Sequence, residues 1–293
     1  MQSENRERSV QQDASTDTGL VAALSGQYHF SIAEMIDEAL VKTNGILGTY
    51  WGAFALFMLA MFGLGILLSI MTFIIMVISV SLGIFIPLQL YFIFAIYVSI
   101  ILLSPLFAGF WMICIRYVAG QSVRATMLFD YYKAPMNYWL VSLAVYLIAA
   151  IASSSAILLG YIIHYPDYTV LGLIPKLLKF LIQLVVYTFY AFSIPLVADR
   201  NLNAWKALET SRKAISHQWP KVFVSFAVIG ILSAALPGIA IYLAGEVLHK
   251  IFWILFILFI WLLPFSSICF AIMYREIFGL YSANGVGDQI TRG

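Results

Sequence analysis

The run "KTNGILGTYWGAFALFMLAMFGLGILLSIMTFIIMVISVSLGIFIPLQLYFIFAIYVSIILLSPLFAGFWMICIR", Lys42 to Arg116, holds no charged residue between its two ends. A water-facing surface needs more charge than that. About 20 apolar residues cross the hydrocarbon core of a bilayer, so a run of this length reads as membrane spans. The whole chain agrees. It is 62% hydrophobic and 10% charged, against roughly 45–50% and about 25% in soluble domains. The expected fold class is all-α, a polytopic transmembrane helical bundle.

Charged breaks divide the apolar sequence into three blocks, about Tyr50 to Ile115, Tyr138 to Ala198 and Val222 to Tyr274. The second is interrupted by "HYPDYT" (His164 to Thr169) and the third by "GEVLHK" (Gly245 to Lys250). Each of these two has room for a pair of spans. The first has room for two long helices or three short ones, and the distribution of lysine and arginine decides between them. With six spans and both termini on one side, that side holds 13 of the 16 basic residues, leaving only Lys176, Lys179 and Lys250 opposite. The rich side is expected to be cytoplasmic. A third span in the first block would destroy this asymmetry, so two helices turning near "GIFIPLQ" (Gly83 to Gln89) are expected. The organisation that follows is a disordered cytoplasmic tail over 1–27, a six-span membrane domain over 28–280 and a cytoplasmic tail over 281–293.

Each hairpin follows a short polar helix candidate. In "FSIAEMIDEALVKTNG", Ser31 and Glu34 fit a capping box, with Phe30 and Met35 as a hydrophobic staple. Ile32, Met35, Ile36, Ala39 and Leu40 share one helical face. "SVRATMLFDYYKAPMNYW" is a weaker copy. In "NLNAWKALETSRKAISHQWP", Ala204, Leu208, Ser211 and Ile215 share a face, and Asn201 or Asn203 can cap it. The three units imply three pseudo-repeats of interfacial amphipathic helix plus transmembrane hairpin. Such a helix lies at headgroup level with its apolar stripe buried and its basic face toward anionic lipid. It serves either as a connector between hairpins or as a surface for lipid or a partner.

"FSIAEMIDEALVKTNG", "PLVADRNLNAWKALETSRKAI" and the six-span layout resemble the YciC-like bacterial inner-membrane proteins. Those in turn resemble the membrane region of some glycerophosphodiester phosphodiesterases. The resemblance covers about residues 28 to 280. It implies a bacterial inner-membrane location and carries no activity to particular residues.

Motifs of chemistry are sparse. His29, His164, His217 and His249 have no i, i+4 partner for a metal, and Cys114 with Cys269 gives neither a zinc spacing nor a disulfide framework. No G-x-S-x-G, Walker A or H-E-x-x-H string occurs. "NGVGDQI" (Asn284 to Ile290) reads as a chance match to an aspartyl-protease pattern. No catalytic residue, metal ligand or cofactor is therefore expected. Pro87, Pro105, Pro175, Pro195, Pro237 and Pro264 are kinks or the breaks from which transporters build sites. Ser153, Ser154 and Ser155 are a close-packing surface or part of a solute path. Ionisable residues are nearly absent deep in the spans, which argues against a proton-driven pump.

The candidate site is a polar cluster at the charged ends of spans two, four and six: Arg116, Asp199, Arg200, Arg275 and Glu276. Asp199 is expected to cap the following helix or to join a charged ring with Arg116 or Arg275. The expected function is a non-enzymatic role in envelope or membrane homeostasis. The alternative is a small-solute transporter or permease subunit, and an enzyme acting on a lipid head group ranks below both. Expected partners are membrane lipids and a membrane protein or a second copy of the chain, with no nucleic acid.

Overall fold

In a computed structural model the structure describes residues 19–84, 87–163, 170–230 and 248–279. The described residues are helical, with no strand. A short helix over 19–25 (α1) is followed by α2 (Ile32–Ser81), α3 (Leu88–Val118), a 3-10 helix (Ala125–Lys133), α4 (Met136–Ile163) and α5 (Val170–Tyr190). Then come α6 (Ser193–Arg200), α7 (Ala204–His217), α8 (Trp219–Gly230) and α9 (Leu248–Phe278). Five helical segments are long and apolar enough to cross a membrane: Ile32–Ser81, Ile93–Val118, Met136–Ala156, Ile174–Arg200 and Ile260–Phe278. The chain is a multi-pass, all-helical membrane protein. The span expected at the start of the third block begins as the shorter apolar helix α8, and its continuation over 231–247 lies outside the described residues. So do "HYPDYT" and "NGVGDQI".

The first hairpin turns where its sequence says. α2 ends at Ser81, Gly83 takes a left-handed φ of 70° and α3 starts after Pro87. Its beginning differs from expectation. The amphipathic segment Ile32–Lys42 is not a separate membrane-parallel helix but the first turns of the 50-residue α2. Its buried stripe, Met35, Ala39, Thr43, Ile46, Tyr50, Ala53 and Phe57, runs unbroken past Asn44-Gly45. Leu40 falls off that stripe and is exposed. Gly45 stays helical because its bare backbone seats the Tyr117 hydroxyl, where a side chain would collide. Tyr117 then donates to Lys42 O at 3.0 Å while Lys42 Nζ donates to Val118 O at 3.1 Å, stapling the start of one helix to the end of the other.

Part of the expected N-terminal tail is folded against the bundle. Residues 19–25 are helical, Ala23 is buried, and the segment docks on the end of α7. Tyr28 donates to Ala214 O at 2.9 Å and Gln218 Nε2 to Tyr28 O at 2.8 Å. His217 Nε2 lies 2.9 Å from Leu24 O. These bonds satisfy the carbonyls that a helix end leaves open.

The "weaker copy" is a 3-10 helix laid back along α3. Leu128 is fully buried against Gly109, the one place on α3 where its backbone leaves no room for a Cβ. The Tyr132 hydroxyl reaches Leu102 O at 2.9 Å. Leu102 is 16 residues before Val118, about 24 Å of helix rise. This connection therefore climbs the flank of the span.

Two prolines inside the spans, Pro105 and Pro264, have the lost backbone bond replaced by a side chain. Pro105 cannot donate to Ile101 O, and Ser104 Oγ supplies that bond at 2.7 Å. Pro264 cannot donate to Ile260 O, and Trp51 Nε1 reaches over from α2 to do so at 3.2 Å. Span four breaks at Ala191-Phe192, ahead of Pro195, and Ser211 Oγ of α7 donates to Phe189 O at 2.8 Å. These are neutralised kinks. Ser153, Ser154 and Ser155 likewise bond carbonyls of their own helix.

Candidate functional site

Asn203 begins α7 and accepts from Lys206 N at 2.9 Å, so the expected cap is made by asparagine rather than by Asp199. Ala207, Leu208, Ser211, Ala214 and Ile215 are buried. The expectation that this stripe faces headgroups is corrected: α4, α5 and α6 occupy it. The outer face carries Trp205, 73% exposed, with Lys206, Arg212 and Lys213. Burial of a half-apolar helix against protein fixes that outward orientation.

Of the five polar residues expected to cluster, four fall into two separate groups at helix ends rather than one ring, and Arg116 belongs to neither. In the first, Tyr274 donates to Asp199 Oδ2 at 2.8 Å, and Arg200 Nε stands 3.9 Å from the same oxygen. Arg200 Nη2 donates to Phe278 O, capping the end of α9 just before Gly279, whose φ is 67°. A guanidinium at a helix C-terminus meets both open carbonyls and the negative end of the dipole. In the second group, Arg275 holds Glu38 with two bonds of 2.7 and 2.6 Å and Glu276 with bonds of 3.0 and 2.6 Å. Lys42 Nζ adds a contact to Glu38 at 3.5 Å. Arg116 is half-exposed in the last turn of α3, on the side facing Tyr131.

Tyr131 lies near both Arg116 and Asp199. Burial pushes its phenol up to about 12, against the pull of Arg116 and with the push of Asp199 and Asp130. It is therefore neutral at physiological pH. Glu38, Tyr274 and Tyr131 were missed as site residues. Glu38 had a signal in its i, i+4 spacing from Lys42; the two tyrosines had none, because their roles depend on tertiary packing. All these charges tie helix ends together. No group of three metal-binding side chains occurs among the described residues.

Above the charged end the helices part around a chamber of about 650 Å³ between α3, α4, α5, α8 and α9. Its walls include Phe107, Trp111, Val145, Tyr146, Leu184 and Phe270. Ser153 to Ser155 do not line it. Two of its hydroxyls are turned inward to their own helices, Thr188 to Leu184 O and Ser266 to Leu263 O, both at 2.8 Å, while Ser142 and three tyrosines also line it. The break in span four lies on the chamber's edge, where Ala191 and Ile194 line it. Phe192 swings into an aromatic core with Phe270 at 4.9 Å, Phe278 at 5.6 Å and Tyr274 at 6.0 Å. The small Ala191 is left on the wall.

Family models, curated proteins and solved structures offer no match to this chain. The site must be read from its own chemistry.

Proposed function

We propose that the chain is a non-enzymatic, six-span protein of the bacterial inner membrane, YciC-like, with both termini cytoplasmic. It acts in envelope or membrane homeostasis through contacts with lipid, a membrane-protein partner or a second copy. The observation that carries this reading is the apolar chamber between the hairpins. A solute path needs polar groups that replace hydration, and these walls are mainly rings and aliphatic side chains, with Ser142, Thr188 and Ser266 the only non-aromatic polar residues among them. The outward Trp205, Lys206, Arg212 and Lys213 face supports the same reading, since aromatic and basic residues settle at headgroup level. The charged groups at helix ends support a scaffold whose ionic contacts join the three units.

Cysteines placed at Ser142 and Thr188, on the chamber wall, test it. In a background with Cys114 and Cys269 replaced by alanine, a small charged thiol reagent added from either side should leave both unmodified. Rapid modification would reveal an aqueous path and favour the transporter alternative.

A further inference from the structure

We infer that the chamber between α3, α4, α5, α8 and α9 is a binding site for one acyl chain of a membrane phospholipid. The inference rests on the membrane reading above and names the ligand of that site.

Size comes first. The pocket, partly open to the outside of the bundle, is about 650 Å³, inside the roughly 300–1,000 Å³ range of ligand pockets. An empty apolar space of that volume forfeits the dispersion contacts of every wall atom. Water is a poor filling, because each molecule needs two to four polar partners. Thr188 and Ser266 already donate their protons to Leu184 O and Leu263 O. Tyr146 meets Tyr97 and Tyr187 ring to ring, at 5.7 and 6.4 Å.

Shape selects the class of occupant. On α3 the wall residues Ile100, Phe107 and Trp111 follow one face, covering about 16 Å of helix rise. Leu184 and Thr188 share one face of α5, and Ala191 follows just beyond its end. The space is a slot running along the helices, which suits an extended chain. The surrounding medium supplies such chains at the same depth, since four of the wall helices, α3, α4, α5 and α9, carry segments long and apolar enough to span. Tyr187 lines the slot and is 39% exposed, so a chain can enter while its head group stays outside.

Ala191 sets the free volume, because the helix break has sent the neighbouring Phe192 into the core. Ala191→Leu should fill the slot. The test uses full-length protein with Trp111 as its sole tryptophan, reconstituted in phosphatidylcholine vesicles with a dibrominated acyl chain. Trp111 should lose most of its emission relative to unbrominated vesicles, and Ala191→Leu should recover much of it. Native mass spectrometry from detergent should find one phospholipid retained by the parent and lost in the variant. Val145→Phe fills the slot from the opposite wall and replaces Ala191→Leu if that variant does not fold. Equal Trp111 emission in both vesicles overturns the inference. So does equal quenching and equal lipid retention in parent and filled variant, which would mean annular lipid only. Quenching of Trp111 by aqueous acrylamide would instead overturn the membrane-scaffold reading itself.

Discussion

Arg275 clasps Glu38 with both arms of its guanidinium, Nη1 to Oε1 at 2.7 Å and Nη2 to Oε2 at 2.6 Å. The two residues are 237 positions apart. The contact locks the start of the first long helix to the end of the last. Both side chains are only about a quarter exposed, 26% and 29%, so solvent screens the pair incompletely.

Arg275→Lys keeps the charge but loses the fork. It should cost roughly 1 kcal/mol, toward the upper end for a partly exposed pair. A double-mutant cycle of Arg275→Lys with Glu38→Gln, read by thermal unfolding in detergent, should show coupling of similar size. Strict additivity would mean that the contact contributes nothing to stability.

Tyr274 donates to Asp199 from a fully buried ring. Tyr274→Phe removes that donor while keeping the packing. It should destabilise by about 1–3 kcal/mol, the usual cost of a buried acceptor that loses a partner. Adding Asp199→Asn should deepen the loss, because it also takes the carboxylate away from the buried Arg200 guanidinium beside it. A melt series of the three variants checks the order.

Trp51 serves a carbonyl that Pro264 cannot. Trp51→Phe should cost about 1 kcal/mol for the indole bond, besides any packing lost. Pro264→Ala restores a backbone donor to Ile260 O, so Trp51→Phe should cost less in a Pro264→Ala background. An equal cost in both backgrounds would show that the indole acts through packing alone.

Much of this arrangement was legible in the sequence, because it depends on local rules. The uncharged run fixes the membrane class, Gly83 and Pro87 mark the hairpin turn, and Ser31 and Asn203 are the caps of α2 and α7. Tertiary packing decided the rest. Asn44-Gly45 looks like a helix stop until Tyr117 is seen to need that glycine. The α7 stripe has the same amphipathic pattern whether lipid or protein covers it. Asp199 and Arg275 each stand at the charged end of an apolar helix, yet Tyr274 and Glu38 send them to different groups. No local pattern announces a chamber edged by a break in a span at Ala191-Phe192.

Threading decides most directly whether this account holds, since the depth of the chamber and the side of the charged groups both follow from it. Single cysteines at Gln121, Ser216 and Asp167, in the background lacking Cys114 and Cys269, are exposed to an impermeant thiol reagent in intact cells. Asp167 alone should be modified; Gln121 and Ser216 should react only after the membrane is opened. Modification of Gln121 in intact cells would contradict the two-helix first hairpin, and with it the placement of every charged helix end on one side.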